Sequence, residues 1–191
     1  MNICIFGASS NAIDESYLTA VEELGEELAK RGHGLVFGGG AKGLMGAAAR
    51  GTTRGGGSVL GVAPSFFNVD GVLYEHCTEF IYTETMRERK QTMEDRSDAV
   101  VMTPGGIGTF EEFFEVLTLK QLSRNNKPIA VFNVNGYFDE MQQMLEKSVE
   151  QRFMSAATLE LYRSFRDPGE LLDYLENYSD RQRSIDELKN I

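Results

Sequence analysis

Short runs of β-branched and other apolar residues alternate along the chain with longer segments whose apolar positions recur every three or four residues. The runs at 3–6, 35–37, 58–62, 79–82, 99–102 and 129–132 read as strands, and several are apolar throughout, as strands covered on both faces are. Between them, 17–31, 44–54, 85–97, 109–124 and 137–152 read as helices; in the first, Tyr17, Val21, Leu24 and Leu28 line one face. This alternation predicts βαβ units, and hence an α/β fold: a Rossmann-like, doubly wound parallel sheet in three α/β/α layers. Ligands of such folds sit beyond the carboxyl ends of the strands. Residues 1–152 would form the core, and the tail at 153–191 reads as two or three short helices, one starting at Pro168 and the last at 184–189. No repeat, low-complexity linker or charge block divides the 191 residues, so a single domain is expected.

The loops predicted at that carboxyl edge hold much of the glycine. They are Gly7-Ala8-Ser9-Ser10, then Gly38-Gly39-Gly40 leading to Lys42-Gly43-Leu44-Met45-Gly46, then the loop containing Pro64, and last Pro104-Gly105-Gly106-Ile107-Gly108-Thr109. Glycine lets backbone approach a ligand, and amides at a helix start point toward an anion. Tight packing alone explains one such turn, but two clusters on one sheet edge point to a phosphate-bearing small molecule, with Ser9, Gly39, Gly40 and Gly105 among its candidate contacts. The first loop lacks the G-x-G-x-x-G spacing of dinucleotide enzymes, and no Walker lysine follows either cluster.

Composition narrows the partners. A net charge of −10 and a pI near 4.8 argue against binding nucleic acid or an anionic membrane, so a phosphate must be held by local groups. Two cysteines, Cys4 and Cys77, fit a reducing compartment, and His33 and His76 lack metal-ligand spacing. The apolar run 2–6 is too short for a signal peptide, and no run approaches a membrane span; the expected location is the cytoplasm, with no metal and no cofactor.

Two segments carry candidate chemistry. After the glycine turn, Thr109 and Glu112 are spaced as a capping box, which accounts for both residues but not for three preceding glycines. The helix dipole would favour Glu112 as an anion, suited to act as a base or to hold hydroxyls. Upstream, Met86, Arg89, Lys90 and Met93 share one helical face. The two cations could snorkel to solvent, or reach into a shared site and bind phosphate.

Pro-Gly-Gly-x-Gly-Thr-x-x-Glu at 104–112, preceded by Met-x-x-Arg-Lys-x-x-Met at 86–93, resembles the Lonely Guy family of cytokinin riboside 5′-monophosphate phosphoribohydrolases, long labelled lysine decarboxylases. The likeness continues through Gly38–Gly46 and Asn133-Val134-Asn135-Gly136-Tyr137. It implies a homodimeric hydrolase that cleaves the N-glycosidic bond of a nucleoside 5′-monophosphate, a cytokinin riboside monophosphate or AMP, to free base and ribose 5-phosphate. It further implies Arg89 and Glu112 as the catalytic pair, with Lys90, Gly105, Gly106, Ile107, Gly108, Thr109, Phe110, Glu111 and Thr118 lining the nucleotide site. Arg87 stands where the plant-type motif has histidine, and Gly71 stands nearest the place of the family's usual glutamate, departures that bear on the identity of the base. A phenylalanine stripe, Phe110, Phe113 and Phe114, could extend into a second subunit. A non-catalytic nucleotide or molybdenum-cofactor carrier and a general purine monophosphate nucleosidase are the competing readings.

Overall fold

A computed structural model describes residues 1–180 and 183–189. Seven strands form one all-parallel sheet: β1 (Asn2–Phe6), β2 (Gly34–Phe37), β3 (Val59–Pro64), β4 (Glu79–Thr83), β5 (Ala99–Met102), β6 (Ile129–Phe132) and β7 (Arg163–Phe165), in the spatial order β4-β3-β2-β1-β5-β6-β7. The chain winds outward from β1 to β4, then returns to place β5 on the other side of β1. The switch point therefore lies between β1 and β5, where neighbouring loops diverge to opposite faces.

Alternation along β1 divides the core. Ile3 and Ile5 face a layer made by α1 (Glu15–Lys30), α2 (Gly43–Arg54) and α6 (Pro168–Glu176), through Val21, Leu24, Leu44, Ala48 and Leu171. Cys4 and Phe6 face the opposite layer, built from α3 (Met86–Asp95), α4 (Ile107–Gln121), α5 (Asp139–Glu150) and α7 (Ile185–Lys189), through Met93, Phe113, Leu117, Leu145 and Leu188. The expected three-layer α/β/α sandwich is what forms.

Several boundaries differ from the sequence expectation, each for a local reason. The tail is not all helix: β7 pairs in parallel with β6 and is held past its end by the Asn133 amide on the Phe165 carbonyl, at 2.7 Å. Three residues on a sheet edge are too few to show period-two alternation. Pro168 does start α6, capped by Asp167, and Ser184 caps α7; residues 190 and 191 lie outside the described chain. Before α5, residues Val134–Gly136 make a 3₁₀ turn with Asn135 at φ 55°, which delays the helix to Asp139. Helix α4 starts two residues early, at Ile107.

The two helices over the first half of the sheet touch backbone to backbone. A Cβ on Gly25 of α1 would lie 2.4 Å from the Ala48 carbonyl oxygen, and one on Gly51 of α2 would lie 1.9 Å from that of Glu22. Both neighbours are main chain and cannot swing aside. Alanine at position 51 would gain up to about 1 kcal/mol of helix propensity but force the helices apart, an overpacking cost of about 1–3 kcal/mol. Gly51→Ala protein should therefore unfold at lower urea concentration than the parent; an unchanged or higher midpoint would mean that the helices have room to separate.

Candidate active site

The loops after β1, β2, β3 and β5 surround a cavity of about 510 Å³ at the switch point. That volume is ordinary for a small-molecule site. Its first wall is the start of α4. Gly106 is the N-cap and supplies no side-chain cap, and the first return bond of the helix runs from the Phe110 amide to the Gly106 carbonyl at 3.1 Å. The amides of the first turn, at Ile107, Gly108 and Thr109, are left without intrahelical acceptors and make an anion seat. The turn is braced from behind: the Ala8 amide donates to the Pro104 carbonyl at 3.0 Å, and the Tyr137 hydroxyl donates to the Gly105 carbonyl at 2.7 Å. The capping box expected at Thr109 and Glu112 is absent, because the helix begins before Thr109. The side chain that does cap in this region is Thr85 at the start of α3, accepting from the Glu88 amide at 3.1 Å.

Freed from capping, Glu112 turns toward α3 and pairs with Arg89, Nη1 to Oε1 at 2.7 Å, with 8% and 12% of the two side chains exposed. Arg89 does not snorkel. Its Nε donates to the Val62 carbonyl at 3.2 Å, and its Nη2 occupies the space a Cβ on Gly38 would need, only 1.9 Å away. Glycine at position 38 is thus what lets the guanidinium lie across the floor of the cleft. Burial raises the Glu112 carboxyl above its ordinary value, and this outweighs the opposing pull of Arg89. The helix-start effect anticipated from sequence is overridden by desolvation. Below the pair, the Cys4 thiol is fully buried and held protonated by that burial and by the nearby Glu112 carboxylate, so it is no nucleophile.

Of the residues singled out from sequence, Ser9, Gly40, Arg89, Gly106, Ile107, Gly108, Thr109 and Glu112 line the cleft together. The others do not. Lys90 points to the back of the pair, where it bridges Glu111 and Glu115 beside a smaller cavity between α3 and α4. Sharing a helical face with Arg89 did not bring it to the same site, because two acidic residues of α4 hold it. Gly39 packs beneath Phe80, Gly105 supports the turn through its carbonyl, and Phe110 stacks edge-on against Phe138. Glu111 is exposed, and so is Thr118, which lies about 16 Å along α4 from its first residue.

The cleft also gathers residues not chosen from sequence: Lys42, Met45, Phe67, Val72 and Met86. Met86 belongs to the methionine stripe of α3, whereas the other four lie in or beside loops, where no periodicity marks them. The loop carrying Phe67 and Val72 is tied across the opening by the Ala41 amide on the Val72 carbonyl and the Tyr74 amide on the Gly39 carbonyl, both at 2.9 Å. Lys42 forms no ion pair among the described residues, which leaves its charge available to a ligand. Among the described residues no group of three His, Cys, Asp or Glu side chains is arranged to hold a metal ion.

Comparison with known proteins agrees with this geometry. The family model described as "Possible lysine decarboxylase" matches residues 45–175. A protein of Oryza sativa subsp. japonica named "Probable cytokinin riboside 5′-monophosphate phosphoribohydrolase" is 40% identical over 176 residues, covering 92% of this chain and 78% of its own. An Arabidopsis thaliana cytokinin riboside 5′-monophosphate phosphoribohydrolase is 37% identical over 183 residues, covering 96% and 86%. Among solved structures, the molybdenum cofactor carrier protein of Chlamydomonas reinhardtii superposes with a TM-score of 0.69 over 92% of this chain and 95% of the other, at 21% identity, a likeness of fold alone. With the glycine turn, the Arg89–Glu112 pair and near-full-length relatives all in agreement, the chain belongs to the Lonely Guy family of cytokinin riboside 5′-monophosphate phosphoribohydrolases.

Proposed function

We propose that the chain is a hydrolase that cleaves the N-glycosidic bond of a nucleoside 5′-monophosphate, releasing the free base and ribose 5-phosphate. The observation that carries this reading is the buried Arg89–Glu112 pair on the floor of a cleft whose wall is an uncapped helix start. The 5′-phosphate sits on the first-turn amides of α4, with Lys42 as its mobile counter-charge. The ribose then lies over Glu112. As the bond from the anomeric carbon to the base nitrogen breaks, its electron pair leaves with the base and positive charge develops on the sugar. The Glu112 carboxylate stabilises that charge and takes a proton from the attacking water, the departing base nitrogen takes up a proton from solvent, and Arg89 fixes the carboxylate's orientation and balances its charge. Met45, Phe67, Val72, Met86 and Ile107 give the base an apolar surround, which suits adenine and N6-alkylated adenine alike. The carrier alternative finds support in fold likeness only and gives the buried pair no task.

The finer parts of the reading rest on surface chemistry. The phenylalanine stripe of α4 packs inward, since Phe113 is fully buried and Phe110 and Phe114 pack beside it. A better candidate for a dimer contact is the exposed apolar patch of Phe66 and Val69 in the loop after β3, with Tyr82 of edge strand β4 beside it. We take the enzyme to be a homodimer and, with Cys4 and Cys77 both free, to work in the cytoplasm.

Three outcomes are expected. First, the protein should release free base from AMP or isopentenyladenosine monophosphate, measured by chromatography. Glu112→Gln should lower turnover by roughly 10²–10⁴-fold, and Arg89→Ala should abolish it. Parent protein that yields no base from either nucleotide, or Glu112→Gln protein with parental turnover, would refute the mechanism. Second, because Glu112 must be ionised to act and burial raises its carboxyl, kcat/KM should decline toward acid with a midpoint above the ordinary glutamate value of about 4.3. An acid limb at or below that value would show that Glu112 is not the group titrating. Third, light scattering at micromolar concentration should report twice the 21.3 kDa chain mass; the monomer mass would exclude the dimer.

A further inference from the structure

One stretch that stands out in the sequence, Asn133-Val134-Asn135-Gly136-Tyr137, lines no part of the cleft. It follows β6 and is built as a bracket. The Asn133 side chain accepts from the Phe138 amide at 2.8 Å and donates to Asp139 Oδ1 at 2.7 Å, closing the turn on itself. Asn135 and Gly136 hold left-handed backbone, at φ 55° and 74°, and the Asn135 side chain donates to the Ser16 hydroxyl of α1 at 2.9 Å. Tyr137 emerges from this bracket with its ring edge-on to those of Tyr17 and Phe138. Its hydroxyl donates to the Gly105 carbonyl at 2.7 Å.

That bond sets the direction of a whole peptide. The Gly105–Gly106 peptide is trans, so its carbonyl oxygen and its N–H point in opposite directions. Gly105 is buried and its carbonyl faces Tyr137, outside the cleft, so the Gly106 N–H faces the other way. Gly106 is exposed and lines the cleft, and its amide has no acceptor among the described residues. It extends by one donor the row of open amides at Ile107, Gly108 and Thr109. Yet this peptide joins two glycines, and nothing in their own chemistry prevents it from turning over. A flip carries φ of Gly106 from −96° to the positive side, which glycine occupies freely and other residues do not. The flipped peptide would present its carbonyl to the cleft and repel a phosphate.

We propose that Tyr137 is a positioning residue for phosphate binding, whose hydroxyl locks the Gly105–Gly106 peptide with its N–H turned into the cleft. Accepting that hydrogen bond also polarises the peptide and makes the Gly106 N–H a stronger donor. The lock rests on the reading that the nucleotide phosphate sits at the start of α4, and it adds a residue outside the cleft on which that seat depends. Phosphate contacts persist from the bound nucleotide through glycosidic cleavage, so the effect falls on binding rather than on the chemical step.

The test removes only the hydroxyl, in Tyr137→Phe protein, and leaves the ring in place. Amide signals of ¹⁵N-labelled protein are followed while inorganic phosphate is added. In the parent, the Gly106 signal should shift together with those of Gly108 and Thr109; in Tyr137→Phe protein its shift should be largely lost while theirs persist. By calorimetry, AMP should bind Tyr137→Phe protein roughly 10-fold more weakly, the scale of one hydrogen bond to a charged group. KM should rise accordingly, with little change in kcat, and adenosine, which has no phosphate, should bind both proteins equally. A Gly106 amide indifferent to phosphate in the parent, while Gly108 and Thr109 respond, would overturn the lock. Indifference of all three would overturn the phosphate seat itself and the lock with it. Equal affinity of both proteins for AMP, or an equal loss for adenosine, would overturn the role of Tyr137. Should Tyr137→Phe fail to fold, the parent titration still decides which way the peptide faces.

Discussion

The Arg89 guanidinium is where four elements of this fold are locked to one another. Carried on α3, it donates to the last turn of chain in β3 through the Val62 carbonyl, lies flat against the backbone after β2 at Gly38, and pairs with Glu112 of α4. An ion pair so deeply buried contributes little net stability, since desolvating both charges offsets most of their attraction. Its consequence is geometric. Neither charge can move without leaving the other uncompensated, so a carboxylate is held at one point on the floor of the cleft.

In the mechanism we propose, that constraint lets an acidic protein hold a phosphate. The chain carries a net charge of −10, and the cleft floor adds a carboxylate. Arg89 neutralises Glu112 locally, leaving the dipoles of the α4 amides and Lys42, which forms no ion pair among the described residues, to set the potential at the proposed phosphate seat. The first amide of α4 and Glu112 face one cavity from positions about 7 Å apart along the helix. A nucleoside monophosphate, with its charge at one end and its glycosidic carbon some distance away, spans that separation.

The same sheet supports the second, opposite edge in a different manner. There α4 ends and the tail folds back through β7 and α6. The tail thus completes the sheet and contributes Leu171, Leu172 and Leu175 to the core.

The sequence by itself determined the order of strands and helices through Phe132, the parallel sheet and the edge at which the cleft opens, because these follow from local periodicity and from glycine at fixed offsets. It also brought out Arg89, Glu112 and the turn at Gly106–Thr109, since an arginine within a methionine stripe and a glycine-rich helix start are unusual enough to read directly. Tertiary structure alone decided which partner each charge chose. Arg89 and Lys90 are adjacent and share a helix face, yet one is drawn inward by Glu112 and the Val62 carbonyl and the other outward by Glu111 and Glu115. That choice depends on the spacing between α3 and α4, which no pattern within either helix encodes. The same holds for the start of α4, which lies two residues before the capping-box spacing in the sequence, and for β7, which exists only because β6 offers it an edge to pair with.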